Sequence, residues 1–158
     1  MSKHEITLNV NGEEYNLEVK SNKNLLRVIR ENLGLTGTNC SCERGDCGTC
    51  TILIDGEPAK SCLVLAVESE GKEITTIEGL TEDGEINPIQ EAFIEHGAVQ
   101  CGFCTPAFIL TAHALLEKNP DPTEEEVKEA IDGILCRCTG YRQIIDAILD
   151  ASNKYPLE

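Results

Sequence analysis

The spacing of its cysteines constrains this chain more than any other feature. Cys42, Cys47 and Cys50 follow the pattern C-x4-C-x2-C with Cys62 shortly after, and Cys101-Gly-Phe-Cys104 and Cys136-Arg-Cys138 form two close pairs further on. Eight of the nine cysteines thus fall into two sets of four, and a fold that gathers each set creates two thiol-rich sites. In a small secreted protein so many cysteines would read as a disulfide framework. Residues 1–10 are polar and alternating, unlike a signal peptide, so reduced thiols in the cytoplasm, free to bind metal, are expected instead.

Composition removes several other classes. With 41% hydrophobic residues over 158 positions the chain can bury a core, as one domain or two small ones. No apolar run approaches the roughly 20 residues needed to span a bilayer, so membrane insertion is not expected. The 13 Lys and Arg against 28 Asp and Glu, a net charge of -15, argue against nucleic acid, because phosphate binding needs a basic surface. The acidity is spread along the chain and reads first as a source of solubility.

The two halves differ in pattern. Ile6, Leu8 and Val10 alternate with polar residues, Asn11-Gly12 supplies the positive-φ pair of a two-residue hairpin, and Leu17 and Val19 resume the alternation. Leu25, Leu26, Ile29 and Leu33 then recur at helical spacing before Gly34. After the cysteine-rich loop, residues 51–54, ending in Asp55-Gly56, read as a strand, as do 63–65 and 74–77. A small mixed sheet clasping one helix, a β-grasp, is expected over 1–79. From Asn87 onward helix starts replace hairpin turns: Asn87-Pro88 with Gln90, Thr105-Pro106, Thr123 with Glu126 ahead of Val127, Ala130, Ile131 and Ile134, and Thr139 ahead of Ile144, Ile145, Ile148 and Leu149. Four short helices in an antiparallel bundle over 80–158, reached through a linker at 78–85, complete an α+β chain without internal repeat.

The first cysteine set has the spacing of plant-type 2Fe-2S proteins, with Cys62 able to supply the fourth thiolate. Gly45 and Gly48 fit a loop that must turn its N–H groups toward sulfur. A four-cysteine zinc site is the alternative, although zinc favours paired C-x2-C knuckles. Cys40, two residues before Cys42, would lengthen the first spacing if it were a ligand and is read as a buried free thiol. In the second set Cys101 and Cys104 precede the Thr105 start, and Cys136 and Cys138 precede Thr139, so helix dipoles would favour thiolates at both pairs. Zinc and a disulfide stay open there as well. His96 falls at a helix end near Cys101 and reads as a surface imidazole; His4 and His113 stand away from the cysteine sets in the sequence. No phosphate loop, paired carboxylates or Ser-His arrangement stands out, so no catalytic residue is assigned and the chemistry is read as electron transfer.

Residues 37–50, Ile74-Thr75-Thr76-Ile77-Glu78-Gly79, Gln100-Cys101-Gly102-Phe103-Cys104-Thr105-Pro106 and Cys136-Arg137-Cys138-Thr139-Gly140-Tyr141 together resemble the small iron-sulfur subunit of the molybdenum hydroxylases. That family includes carbon monoxide, xanthine and nicotinate dehydrogenases, and the resemblance spans about residues 4 to 150. It implies an electron-transfer subunit of an oxidoreductase, with one 2Fe-2S cluster in a ferredoxin-like domain and one in a four-helix domain. It further implies that electrons leave molybdopterin on a large partner subunit, pass the cluster of Cys101, Cys104, Cys136 and Cys138, then that of Cys42, Cys47, Cys50 and Cys62, and reach an FAD-binding subunit. By the same resemblance Gln100 and Cys138 contact the molybdopterin, which the partner mainly holds. Some family members carry these domains on a single chain, so the end at Glu158 implies separate partners. A cysteine at position 40 departs from the family pattern. The rival functional readings are a freely diffusing ferredoxin-like carrier and a zinc-stabilised interaction module.

Overall fold

The computed structural model describes residues 2–81 and 84–154. Strand β1 (Lys3–Val10) pairs antiparallel with β2 (Glu13–Lys20), from Lys3 opposite Lys20 to Val10 opposite Glu13. The turn between them holds Asn11 at φ 54° and Gly12 at φ 79°, the geometry that Asn-Gly was expected to supply. Helix α1 (Leu25–Arg27) is capped by the Asn24 side chain and continues as a wider turn over Val28–Asn32, where Leu33 N–H reaches back to Val28 O. Strands β3 (Thr51–Ile54) and β4 (Glu57–Lys60) form a second hairpin through Asp55 and Gly56, both at positive φ. Strand β5 (Glu73–Thr75) runs parallel to β1 and antiparallel to β3, giving a five-stranded mixed sheet in the order β2-β1-β5-β3-β4. Ile6, Leu8, Val10, Val19, Ile52 and Ile74 point from the sheet onto Leu25, Val28 and Ile29, a single apolar core under one helix.

Two strand expectations need correction. Residues 63–65 are no strand: Ser61–Leu63 is a 3-10 turn, Leu63 is exposed, and Leu65 makes only an isolated bridge to Asn24. The backbone here bonds to the segment that leads into α1 instead of to a strand: Leu25 N–H donates to Val64 O and Ala66 N–H to Lys23 O. The last strand stops at Thr75, because Thr76 binds Asn11 through its own N–H and hydroxyl, and Ile77–Leu80 coils into another 3-10 turn.

Among the described residues the second half contains four helices, α2 (Pro88–Glu95), α3 (Thr105–Lys118), α4 (Glu124–Ile131) and α5 (Arg142–Ser152), around a core that includes Phe93, Phe108, Val127, Ile131, Ile144 and Ile148. Asn87 with Gln90 and Thr123 with Glu126 are reciprocal capping boxes, as expected. The other two starts are displaced. Thr105 lies inside α3, whose cap position is Cys104, and α5 begins only after Tyr141, held at φ 71°. Of the expected linker, Glu82 and Asp83 lie outside the described residues, while Leu80 is not loose but packs, with the preceding Ile77, beside Leu53, Leu110 and Ala114 where α3 crosses the sheet. Among the described residues no helix is long and apolar enough to cross a membrane.

One backbone contact joins the halves at a point where no side chain fits. Gly48, at φ 71°, faces Gly133 so closely that a Cβ would overlap the Gly133 carbonyl oxygen. Gly12 shares the positive φ but has open space around it. Gly48→Ala should therefore lower stability by about 2 kcal/mol or more, against about 1 kcal/mol for Gly12→Ala. Urea unfolding of the two variants checks the difference, and equal losses would mean that the close approach contributes nothing.

Candidate metal centres

The loop of residues 37–50 is suspended from the first half of the chain at two points. Arg30 donates to the carbonyls of Thr36 and Thr38, each at 2.7 Å, and Glu78 accepts the Gly37 N–H at 2.8 Å while also taking the Thr76 hydroxyl. Within the loop, Glu43, Gly45 and Gly48 adopt positive φ, and this turns successive N–H groups inward. The N–H groups of Arg44, Cys47 and Asp46 are directed at Cys42 Sγ and hold its thiol down at about 6. Cys50 and Cys62 lie buried side by side. Burial, together with the shared contact to Cys50, pushes the Cys62 thiol up to about 11, although the Gly45 N–H also donates to it. Cys47, half-buried, completes the set against Cys42 and the Thr49 hydroxyl.

Cys40 sits against Leu26, Cys50 and Cys62, yet it is half-buried rather than fully enclosed as expected. The loop leaves its outer edge open, where it meets Glu43; burial first and that carboxylate second raise its pKa. Glu43 is in turn gripped by Arg27, which ties α1 to the loop.

The second set gathers where the loops before α3 and α5 meet. Cys104 contacts Cys136, and Cys101 contacts Cys138. Burial pushes Cys104 up to about 12, with the Cys136 contact adding to it. Cys136 is also raised by burial, but the Thr139 hydroxyl and backbone and the Cys138 backbone outweigh this and leave it below the usual thiol value. Cys101 and Cys138 are exposed. Thr139, read as a helix cap, instead serves the loop: its hydroxyl meets Cys136 Sγ at 3.0 Å and accepts the Tyr141 N–H. Tyr141 folds back so that its hydroxyl accepts the Cys136 N–H at 3.0 Å, while its ring meets Phe108 edge-on. That role for Tyr141 was not visible in the sequence, where it stands only as the last residue of a motif.

The two loops also bind one another. Leu135 N–H donates to Cys47 O at 2.9 Å, and the Asn39 amide donates to Phe103 O at 2.7 Å. Between them lies a cleft of about 550 Å³ bordered by Cys47, Thr49, Phe103, Cys104, Leu135 and Tyr141. Gln100 is exposed beside Cys101. His96 caps the C-terminus of α2 and meets Asp150 at 3.3 Å, the surface position expected for it. His4 contacts the Ser2 hydroxyl, and His113, on α3, has its pKa lowered by burial.

Among the described residues no three His, Cys, Asp or Glu side chains converge on a point that one metal ion could occupy. The second site's thiols touch in pairs instead, and each site combines four sulfurs with inward N–H or hydroxyl groups. This donor chemistry fits a 2Fe-2S cluster, in which each of two irons takes two cysteine sulfurs.

Two family models match the chain: a 2Fe-2S iron-sulfur cluster binding domain over residues 8–80 and a 2Fe-2S binding domain over residues 76–149. The chain is 49% identical over 148 residues to the nicotinate dehydrogenase small FeS subunit of Eubacterium barkeri, covering 94% of each chain. It is 50% identical over 147 residues to the nicotine 6-hydroxylase small subunit of Paenarthrobacter nicotinovorans, covering 93% of this chain and 88% of the relative. The crystal structure of quinoline 2-oxidoreductase from Pseudomonas putida 86 contains a chain that superposes with a TM-score of 0.92 at 46% identity, over 96% of this chain and 94% of that one.

The Tyr141 bond supplies a local test. Tyr141→Phe leaves the Cys136 N–H without its acceptor while keeping the ring, and should cost about 1–2 kcal/mol in urea unfolding. Unchanged stability would mean that the hydroxyl adds nothing to the loop.

Proposed function

Because this chain belongs to the small iron-sulfur subunits of the molybdenum hydroxylases, the electron-transfer components of oxidoreductase complexes, we propose that Cys42, Cys47, Cys50 and Cys62 hold one 2Fe-2S cluster and Cys101, Cys104, Cys136 and Cys138 the other. The observation that carries this assignment is the gathering of each set of four thiols with donors turned toward the sulfurs. When bound, each cluster supplies a one-electron store. The protein's own part is to fix the sulfurs, direct N–H groups at them and hold the two loops in register.

We assign the order of transfer from what each site exposes. Cys101 and Cys138 reach the surface beside Gln100, within a part of the chain that also exposes Val99, Phe103 and Leu135 at 42, 44 and 57%. Such a face suits a large protein partner, and we assign it to the molybdopterin-binding subunit, with Gln100 and Cys138 contacting the cofactor that the partner holds. At the first site Leu63, 62% exposed, lies over Gly45; this is the face we assign to an FAD-binding subunit. In this reading electrons enter at the Cys101 site and leave at the Cys42 site.

The ferredoxin-like part then ends near Gly79, and residues 80–158 act as a four-helix bundle that presents the entry site. The cytoplasm suits nine free thiols. The names nicotinate dehydrogenase, nicotine 6-hydroxylase and quinoline 2-oxidoreductase favour a nitrogen heterocycle as the substrate of the whole complex. Dye reduction by the purified complex with nicotinate or quinoline, set against an aldehyde, tests that class.

Two substitutions test the ligand sets. Cys104→Ser should lower iron from about four to about two per chain, remove one of two electron paramagnetic resonance signals and stop turnover of the complex. Cys40→Ser should keep all the iron and both signals. Full turnover in the first variant, or iron loss in the second, would overturn the assignment.

A further inference from the structure

Most lysines of this acidic chain meet carboxylates: Lys3 meets Glu18, Lys23 meets Glu31, Lys118 meets Glu57, Lys128 meets Glu124 and Lys154 meets Glu95. Lys60 is different. It is half-buried, it pairs with no carboxylate among the described residues, and its ammonium donates to the Gly45 carbonyl at 2.7 Å. Gly45 O and the Asp46 N–H are the two ends of one peptide unit; the next N–H along, that of Cys47, lies 3.4 Å from Cys42 Sγ, and the Asp46 N–H turns toward the same sulfur. The result is a series running from ammonium to carbonyl, through the peptide to its N–H, and on to sulfur.

We propose that Lys60 is a positioning residue that raises the reduction potential of the cluster held by Cys42, Cys47, Cys50 and Cys62, acting through the Gly45–Asp46 peptide on the Cys42 sulfur. The proposal rests on the cluster assignment above. Hydrogen bonds in series polarise one another, so a cation at the oxygen end of a peptide strengthens the donor at its nitrogen end. Reduction adds one electron to the cluster, and both the fixed positive charge and the stronger donor stabilise the reduced form more than the oxidised one. No other reactant is needed, because the electron is the one the complex already delivers.

The position of Lys60 fits this role. It is the last residue of β4, opposite Thr51, and two residues before Cys62. The adjacent Ser61 gives both its N–H and its hydroxyl to Cys50 O, so the backbone that carries Lys60 is tied to the ligand loop. The end of the Lys60 side chain lies near Gly133, about where the two loops meet: a Cβ on Gly133 would stand 3.8 Å from Cε and from Nζ. A half-buried charge at this seam is screened less than a surface lysine would be. Through space it can act on both sites, but the peptide series leads only to Cys42. Arg30 supports the same loop by binding two carbonyls, those of Thr36 and Thr38, which lie further from the ligands in sequence.

The test is a mediated redox titration of the intact complex, following the two cluster signals by electron paramagnetic resonance in wild type, Lys60→Met and Lys60→Arg. Methionine keeps much of the apolar stem and removes the charge, whereas arginine keeps the charge. In Lys60→Met the reduced-to-oxidised ratio of the first cluster at a fixed ambient potential should fall about tenfold, which for a one-electron couple is about 59 mV. The second cluster should shift much less, and Lys60→Arg should stay near wild type. Unchanged first-cluster potential in Lys60→Met, or equal shifts in the methionine and arginine variants, would overturn the proposal. So would loss of the first cluster from Lys60→Met alone, which would make Lys60 a structural clamp. A wild-type complex without any 2Fe-2S signal would instead remove the cluster assignment, and the proposal with it.

Discussion

The geometry of both sites depends on the seam between the two cysteine loops, where Leu135 N–H meets Cys47 O and Gly48 lies against Gly133. Each loop is irregular backbone, held by side chains such as Arg30 and Tyr141 and not by a regular ladder of backbone bonds. Each therefore borrows rigidity from the other, and the Asn39 amide on Phe103 O adds a second tie. Behind the seam, α3 crosses the sheet through Leu53, Leu110 and Ala114, so the apolar packing of the two halves presses the loops together. Electron exchange between two centres depends steeply on their separation. A backbone hydrogen bond between ligand loops fixes that separation more tightly than flexible side chains could.

The charge of the chain makes a second demand. A net charge of -15 opposes the gathering of thiolates and the addition of electrons to them. The fold answers with uncharged donors more than with cations. Three N–H groups are directed at Cys42, the Gly45 N–H at Cys62, and the Thr139 hydroxyl at Cys136, while Cys104 stands at the N-terminus of α3. These dipoles are fixed in direction and need no counter-ion. Several surface acids, among them Glu18, Glu57 and Glu124, are occupied elsewhere in exposed ion pairs of small energetic weight.

What could be read from the sequence was what local chemistry decides. Asn11-Gly12, the Asn87–Gln90 box and the Thr123–Glu126 box depend on a few neighbouring residues, and each lies where its pattern indicated. The cysteines were legible as two groups because their spacing separates them, and the structure brings Cys104 to Cys136, Cys101 to Cys138 and Cys50 to Cys62. Strand β4 was missed because Glu57–Lys60 lacks alternation and contains Pro58, which an edge strand tolerates since one side of its backbone has no partner. Thr105 and Thr139 imitate caps, but the cysteine loops consume the residues around them, so one helix starts early and the other late. Nothing in a single sequence marks Gly48 and Gly133 as neighbours; that contact joins residues far apart in the chain and exists only once both halves have folded.

The second site is asymmetric, and this has consequences for its chemistry. Cys104 and Cys136 face the helical core, whereas Cys101 and Cys138 open outward near exposed Phe103 and Leu135. In the isolated chain water reaches the outer sulfurs and competes with protein donors for them. On the reading proposed above, a partner covering this face removes that water and lowers the local dielectric, so the remaining N–H and hydroxyl contacts act more strongly on the sulfurs. The first site depends less on such covering, because Cys50 and Cys62 are already buried by this chain alone. Assembly should therefore alter the potential of the outer site more than that of the inner one, and the direction of electron flow becomes a property of the complex as well as of the subunit.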